Sequence, residues 1–439
     1  MPKREPDKKQ ASEQKRRDIR TMRDAVDEMR VYGGSEPHSP QREEKSPRPK
    51  KKRAALKKHA PWRALSTYLS GGKRTRRSRD RKLTLFGKPL SFWPMFLFGF
   101  VLLMVVVLVL NSANLTVDRQ DVTLVGLPAD LENYQILVLS DLNGRRFGDE
   151  QTTLLRQIES LDYDIVVCLG DMVGKDGDPR PFYELLDGLP ARKQVYFICG
   201  DSDPGPFVRT VRDARAPLSE LVLADWILGA MERGAIYVDA PMEILVGASS
   251  LWLTPANMYN IEAAAALVDW KDQMAQEEGG YLAGVVADRE SLPFTSYRAQ
   301  LSQALLDSVN AISPTDVQIA LAHVPPAKGF LQAAATHTVD DGKYLPAPEL
   351  TLAGHYCGGV WNLPGIGAFY ISDSSKDRYG WFPAQADVSG LSAVDETQLY
   401  ITRGLSTNGD VPLLPFRLLN SPEVSVVTLT ATLPTSMLD

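Results

Sequence analysis

The sequence predicts an α/β sandwich, chiefly because apolar strands are repeatedly followed by an acidic residue. Three runs rich in Val, Ile and Leu each lead into an aspartate, at Asp141, Asp171 and Asp201. The interval is thirty residues both times, about the length of one strand-helix-strand unit. Unbroken apolar runs of this kind are typical of parallel strands that are covered on both faces. Alternating helices and a set of later strands complete the pattern of an α/β sandwich.

The ends of these strands predict a metal or phosphate site. Two further strand-like runs lead into histidines, His323 and His355. A single Asp after a strand is more often a helix cap or a turn residue, and a lone His is more often a core or surface residue. In parallel sheets, however, the ligand crevice lies beyond the carboxyl ends of the strands. Because five such residues follow equivalent strand ends, we predict that they line one site at a sheet edge.

Charge and hydropathy divide the chain into three predicted parts. Residues 1–90 carry a net charge of +17 and the remainder carries −22, with the uncharged nineteen-residue run Phe92–Leu110 near the boundary. As a helix this run is about 30 Å long, enough to cross a bilayer. The alternatives are a buried core helix and a cleaved signal peptide, but the unbroken Val/Leu/Met run and the ninety-residue basic leader favour a signal anchor. We predict a tail over 1–90, a transmembrane anchor over 91–111 and a domain over 112–439.

These parts predict a single-pass protein of the cell membrane. The positive-inside rule places the N-terminus in the cytoplasm and the C-terminal domain outside it. The tail is predicted to be mostly disordered, with one helix between about residues 7 and 31 that has short coiled-coil spacing. Its basic clusters favour anionic lipid or a cytoplasmic partner over nucleic acid, because no aromatic or recognition motif accompanies them. Three cysteines cannot form a disulfide framework.

Beyond the anchor, periodicity predicts the order of the elements. The expected elements are an opening strand over 115–125, three strand-aspartate units with helices over 149–160 and 181–189, short strands over 235–253, a helical insertion over 257–312 broken at Gly279-Gly280, the two strand-histidine segments, and closing strands near 368–371, 398–401 and 424–429.

Five motifs at the strand ends carry the functional information. They are Asp141-Leu142-Asn143, Gly170-Asp171, Gly200-Asp201-Ser202-Asp203, His323, and Gly354-His355-Tyr356-Cys357-Gly358-Gly359. In this order they resemble the D-x-H, G-D, G-N-H-[DE], H and G-H-x-H-G-G motifs of the calcineurin-like metallophosphoesterase family, in particular its membrane-anchored bacterial members. The resemblance covers roughly residues 134–364, and a closing stretch over 400–417 is also similar to the family.

The resemblance implies a hydrolase of phosphomonoester or phosphodiester bonds that holds one or two divalent metal ions, with Zn, Mn and Fe as candidates. One ion would be held by Asp171, Asp201, His323 and His355, with Asp201 standing where the family has Asn. The other ion would be held by Asp141, Asp171, Asn143 and Cys357, where the last two replace His. Asn143 offers only a neutral oxygen. Cys357 is either a zinc-binding thiolate or a small buried residue that does not touch metal.

Retained and replaced motif residues favour two different functional hypotheses, and Ser202 matters most for the chemistry. Here the resemblance implies a His that assists the leaving group, and loss of such a group typically costs about 10²- to 10⁴-fold in rate. The first hypothesis, which we prefer, is a membrane-anchored phosphoesterase with an altered, weakened site. The second is an inactive pseudoenzyme that acts as an extracytoplasmic binding or scaffolding module. A third, weaker hypothesis makes the cytoplasmic tail the functional part and the outer domain a sensor.

Overall fold

The computed structural model describes residues 84–85, 88–89, 92–210, 220–338, 342–359, 361–363, 365–371, 380–395, 397–407 and 417–431. This described part divides into a small unit that ends at Met104 and a large unit that begins at Val105. The small unit contains a two-stranded antiparallel hairpin of β1 (Thr84–Leu85) and β2 (Lys88–Pro89). Apart from this hairpin, the predicted tail over 1–90 and its helix over 7–31 lie outside the described residues.

Helix α1 (Phe92–Ala113) occupies the apolar run that was predicted to be a transmembrane anchor. Within the residues that the structure describes, however, no helix has the length and hydropathy that a membrane crossing requires. The described residues therefore do not support the transmembrane prediction for 91–111.

The large unit alternates strands and helices along most of its length. In chain order its elements are β3 (Thr116–Thr123), β4 (Gln135–Leu139), α2 (Thr152–Glu159), β5 (Ile165–Cys168), α3 (Arg180–Gly188), β6 (Gln194–Phe197), β7 (Phe207–Thr210), β8 (Glu220–Leu223), α4 (Asp225–Glu232), β9 (Ala235–Tyr237), β10 (Met242–Val246), β11 (Ser249–Pro255), α5 (Ala263–Leu282), α6 (Val286–Ala311), β12 (Val317–Ala322), α7 (Lys328–Ala334), β13 (Leu350–Ala353), β14 (Trp361–Leu363), β15 (Gly367–Tyr370), β16 (Gly390–Val394), β17 (Thr397–Ile401) and β18 (Glu423–Thr430).

Two six-stranded mixed sheets organise this unit. The first has the order β3-β18-β4-β5-β6-β9, and its strands β4, β5, β6 and β9 are parallel. The second has the order β10-β11-β12-β13-β17-β16, with four parallel central strands and an antiparallel strand at each edge. This architecture confirms the predicted mixed α/β fold.

The core shows that the two sheets pack face to face with helices outside them. In β4, Ile136 and Val138 belong to the same buried cluster as Ile319 and Leu352 of the second sheet. The alternate residues Leu137 and Leu139 instead pack in a cluster with residues of α2, α3 and α4. A third cluster joins the outer face of the second sheet to α5, α6 and α7. Strand residues on both faces are therefore buried, which explains the unbroken apolar runs in the sequence.

The predicted insertion over 257–312 does form two helices, but the position of the break between them was wrong. Helix α5 continues through Gly279-Gly280 to Leu282, and the chain turns at Gly284, where φ is +84°. A glycine inside a helix costs only about 1 kcal/mol, which a long helix can absorb. The positive φ at Gly284 restricts the residue type more strongly, because few residues other than glycine adopt it without strain.

Candidate metal centre

The predicted site residues follow strands of both sheets. Asp141, Asp171 and Asp201 lie just beyond β4, β5 and β6 of the first sheet, as predicted. His323 and His355 lie just beyond β12 and β13, which belong to the second sheet. The expectation of a single sheet edge was therefore wrong: the carboxylates come from one sheet and the imidazoles from the other.

Four of these side chains converge on one point. The donor atoms of Asp171, Asp201, His323 and His355 all lie within 4.8 Å of one another. The Nε2 atom of His323 is 3.1 Å from Oδ1 of Asp201 and 3.3 Å from Oδ2 of Asp171, and Nδ1 of His355 is 3.4 Å from Oδ1 of Asp201. Asp171 and both histidines are buried, whereas Asp201 is exposed and marks the solvent side of the cluster.

The hydrogen bonds around the cluster fit a divalent cation. Nδ1 of His323 lies 2.8 Å from the carbonyl oxygen of Leu169. Because a carbonyl can only accept, Nδ1 is protonated, so loss of the proton on Nε2 would leave a lone pair that faces the carboxylates and is available to a cation. Oδ2 of Asp171 is buried and, apart from the ion pair with Nε2 of His323 at 3.3 Å, has no hydrogen-bond partner. A buried carboxylate oxygen with so few partners is costly, and a cation held at this point would satisfy it.

The charges within the cluster stabilise one another. Burial by itself raises the pKa of Asp201, but hydrogen bonds from His323 and His355 outweigh it and hold this pKa below its usual value. Burial likewise lowers the pKa of His323, but the charge of Asp171 and the hydrogen bonds to both aspartates raise it well above its usual value. A proton on His323 is therefore the counter-charge that a metal ion must displace, so acid should weaken metal binding.

The backbone around the site is strained. Asp141, Asn143, Asp171, His355 and Cys357 all have φ between 49° and 68°, in the left-handed region. Such conformations cost of the order of 1–3 kcal/mol each and cluster at functional sites. Hydrogen bonds between the loops hold these strained residues in place, including one from the amide of Asn143 to the carbonyl of Asp171 (2.8 Å).

Asp141 and Cys357, of the predicted second metal position, lie beside the cluster and are hydrogen-bonded to neighbouring protein groups. Oδ2 of Asp141 accepts hydrogen bonds from Oγ of Ser140 (2.7 Å) and from the amide of His355 (3.1 Å). The thiol of Cys357 is 3.8 Å from Oδ1 of Asp141 and donates to the carbonyl of His355 (3.3 Å). Burial, and then the charge of Asp141, raise the pKa of this thiol well above its usual value. Nδ2 of Asn143 is buried without a partner.

Ser202 and Asp203 join the loop after β6 to the loop after β5. Ser202 is buried, and its backbone amide donates to Oδ1 of Asp171 (2.8 Å). The carboxylate of Asp203 accepts three backbone hydrogen bonds, from Val173 (2.8 Å), Gly174 (2.9 Å) and Gly200 (2.9 Å). Sequence reasoning gave Asp203 no role, although its place in the third motif was a signal.

A second pair of residues without a predicted role fixes the loop that carries His355 and Cys357. The buried guanidinium of Arg417 donates to the carbonyls of Cys357 (2.6 Å) and Gly404 (2.7 Å), and also to the carbonyl of Arg403. Nδ2 of Asn420 donates to the carbonyls of Cys357 and Gly359, at 2.6 Å in each case. Arg417 and Asn420 therefore hold in place the loop that carries two residues of the candidate metal centre.

Gly200 provides a first test of this packing. A Cβ at this position would lie 2.1 Å from Oδ1 and 2.3 Å from the amide nitrogen of Asp171. We expect Gly200→Ala to lower the free energy of unfolding by about 1–3 kcal/mol, because backbone has to move. Gly205→Ala is the control, since a Cβ there would have nothing within 4 Å. The measurement is denaturant unfolding of both variants, and equal stability of the two would contradict the packing.

Comparisons with known proteins agree with this geometry. The sequence profile of the calcineurin-like phosphoesterase family matches residues 134–358, just over half of the chain. The chain therefore belongs to the calcineurin-like phosphoesterase family, as its motifs predicted. No curated protein matches it.

Among solved structures, the chain is similar to phosphopantetheinyl hydrolase from Mycobacterium tuberculosis. The two are 12% identical, the similarity covers 66% of this chain and 96% of that one, and the TM-score is 0.30. A similarity this distant indicates nothing about the substrate of this chain.

Proposed function

We propose that this protein is a metal-dependent phosphoesterase that hydrolyses phosphomonoester or phosphodiester bonds. The observation that carries the proposal is the convergence of Asp171, Asp201, His323 and His355 within 4.8 Å, in a domain of the calcineurin-like phosphoesterase family. A divalent cation held there would polarise a phosphoryl oxygen and lower the pKa of water. The two carboxylates balance its charge, and the hydrogen bond from His323 to Leu169 fixes the orientation of that imidazole.

We further propose that the site is altered and its hydrolysis slow. Ser202 replaces the family's His, and a serine hydroxyl is a poor proton donor to a leaving group near neutral pH. The second metal position would depend on Asn143, which offers only a neutral oxygen, and on Asp141 and Cys357, which are already hydrogen-bonded to His355. The first position is therefore expected to bind metal more tightly than the second.

Metal analysis of the purified full-length chain tests the proposal. We expect at least one Zn, Mn or Fe ion per chain after purification without chelator. A protein that remains free of metal after incubation with each of these ions would contradict the proposal.

The alternative is a catalytically inactive binding or scaffolding module. The observation that favours it is the closed arrangement of Cys357 and Asp141, whose polar atoms already have partners within the protein. This alternative predicts at most one ion per chain and no turnover, even when that ion is bound.

We also propose, from the sequence, that the chain is anchored in the cell membrane. The charge change from +17 over residues 1–90 to −22 over the remainder, together with the apolar run Phe92–Leu110, motivates this placement. The basic tail would then be cytoplasmic, near anionic lipid or a cytoplasmic partner.

Protease added to intact spheroplasts tests this placement. We expect it to digest the domain over 112–439 and to leave the tail protected. Digestion of the tail alone would show that the orientation is reversed, and release of the whole chain from membranes by salt would show that it is not anchored.

A further inference from the structure

Five aromatic side chains form a cluster that is separate from the three core clusters of the two sheets. Phe369 and Tyr370 of β15 pack against Trp361 of β14. The ring centroid of Trp381 is 4.9 Å from that of Tyr370 and 5.2 Å from that of Phe369. Phe382 completes the cluster, with its ring centroid 4.5 Å from that of Phe369. We call these five residues the aromatic patch.

The aromatic patch is partly open to solvent. Trp381 is 44% exposed and Phe382 is 66% exposed, and Ile366, in the turn between β14 and β15, is 55% exposed. Beyond α1, Trp381 and Phe382 are the exposed Trp and Phe side chains in the part of the chain that the structure describes. The stretch over 361–371 contains no charged residue. An exposed, uncharged and aromatic surface of this kind favours a binding role.

The aromatic patch is joined to the point where the chain enters the domain. Trp361 forms a β-bridge with Leu418, and the amide of Asn362 donates to the carbonyl of Leu418 (2.9 Å). Four residues further on, the carbonyl of Pro422 accepts hydrogen bonds from the amide (2.9 Å) and the hydroxyl (3.0 Å) of Thr116, the first residue of β3. Four residues span at most about 14 Å, so the patch lies near the start of the domain.

Helix α1 leads into this same point and exposes apolar side chains. It ends at Ala113, three residues before β3 begins at Thr116. Between Phe96 and Val106, nine large apolar side chains are 45–70% exposed. A helix that is apolar on all sides favours contact with lipid over contact with water. The aromatic patch is therefore close to the junction between the domain and the segment that we propose as its anchor.

We propose that the aromatic patch contacts the phospholipid surface of the membrane in which the chain is anchored, and thereby orients the domain on that membrane. The inference rests on the proposed membrane anchoring and adds the lipid-contacting surface. Trp and Tyr rings favour the headgroup region, because each has an apolar body and a polar edge. The uncharged stretch over 361–371 can enter this region without removing a charged group from water.

The short connection favours lipid over a second copy of the chain as the occupant. A surface joined to its anchor by at most about 14 Å of chain meets the surrounding membrane at a high effective concentration. A second copy must instead be met by diffusion. The patch therefore needs little affinity of its own to remain in contact with the membrane.

Quenching of tryptophan fluorescence by lipid tests the inference. The full-length chain is reconstituted in phosphatidylcholine vesicles with or without bromine on the acyl chains. We expect brominated lipid to quench Trp381, so that the quenched part of the emission is smaller in Trp381→Phe than in the wild type. Trp252→Phe is the control, because Trp252 is 5% exposed on β11 and protein screens it from lipid. Replacement of Trp252 should leave the quenched part unchanged.

A second variant keeps Trp381 and changes the surface beside it. Phe382→Asp places a charge in the patch, which opposes contact with lipid, so the quenching of Trp381 should fall. Folding should tolerate this change, because Phe382 is 66% exposed and its φ of 56° suits Asp better than Phe. Leu245→Asp is the matched control, since Leu245 is 74% exposed on β10 and lies outside the patch. Equal quenching in the two Asp variants would contradict the inference.

Flotation of the vesicles at high salt separates this inference from the proposed anchoring. A chain that leaves the vesicles would overturn the anchoring and the inference together. A chain that stays on the vesicles with Trp381 unquenched by brominated lipid would overturn the inference alone. Protection of that unquenched Trp381 from acrylamide in the aqueous phase would assign the patch to a second copy of the chain or to a partner protein.

Discussion

Replacing His323 or His355 by alanine is expected to remove most of the bound metal. Each imidazole contributes one of four donors that lie within 4.8 Å of one another, and the remaining three cannot complete a four-coordinate site without added water. Loss of groups that merely orient a ligand costs about 10- to 100-fold in metal affinity, so loss of a ligand itself should cost at least about 100-fold. The measurement is metal content and affinity of each purified variant.

His337→Ala is the matched control. His337 is the third histidine beyond the apolar run, but its Nε2 is 3.1 Å from Oδ1 of Asn260 and its ring stacks on Tyr344 at 4.0 Å. It does not belong to the donor cluster, so its replacement should leave metal occupancy unchanged. Equal occupancy in all three variants would refute the assignment of the metal centre.

Restoring the family's histidines is expected to raise phosphoester hydrolysis. Ser202→His should provide the missing proton donor, which is typically worth about 10²- to 10⁴-fold, provided that the metal positions are filled. Adding Asn143→His and Cys357→His should strengthen the second metal position. The combined gain should exceed the product of the separate gains, because the groups act as a unit. The measurement is turnover of an aryl phosphodiester with manganese or zinc by the wild type, Ser202→His, the double variant Asn143→His/Cys357→His and the triple variant.

Whether these substitutions raise or lower turnover distinguishes the two functional hypotheses. A fast wild type that these changes slow would show that Ser202, Asn143 and Cys357 belong to a specialised site. No turnover in any variant, with metal bound, would favour the binding module. Circular dichroism of each variant is required, because Ser202 and Cys357 are buried and a larger side chain at either position has to displace its neighbours.

The apolar strands and the donor residues of the first metal position could be predicted from the sequence because their signals are local. A run such as Ile165–Cys168 is buried on both faces, and all of its residues are accordingly apolar. That the histidines would follow strands of the other sheet could not be predicted, because the pairing of β12 and β13 depends on non-local contacts. The same holds for Arg417, whose partners Cys357 and Gly404 lie 60 and 13 residues away.

The remaining differences between prediction and structure also have physical causes. A glycine pair predicts a break in a helix, yet α5 continues through Gly279-Gly280 because helical φ and ψ angles are open to glycine. The role of Asp203 was missed because an acidic residue after a strand is usually a cap or turn residue. Its carboxylate in fact joins two loops that are about thirty residues apart in the sequence.

The most direct test of the metal-dependent phosphoesterase is hydrolysis of an aryl phosphodiester by the full-length chain before chelation, after chelation and after metal is returned. We expect slow turnover that chelation abolishes and that manganese, zinc or iron restores, with Asp171→Asn inactive under every condition. Asp171 is the residue to replace because its buried Oδ2 has only Nε2 of His323 beside it, so a cation held there would satisfy it. Turnover that persists without metal, or that Asp171→Asn retains, would contradict the proposal of a metal-dependent phosphoesterase.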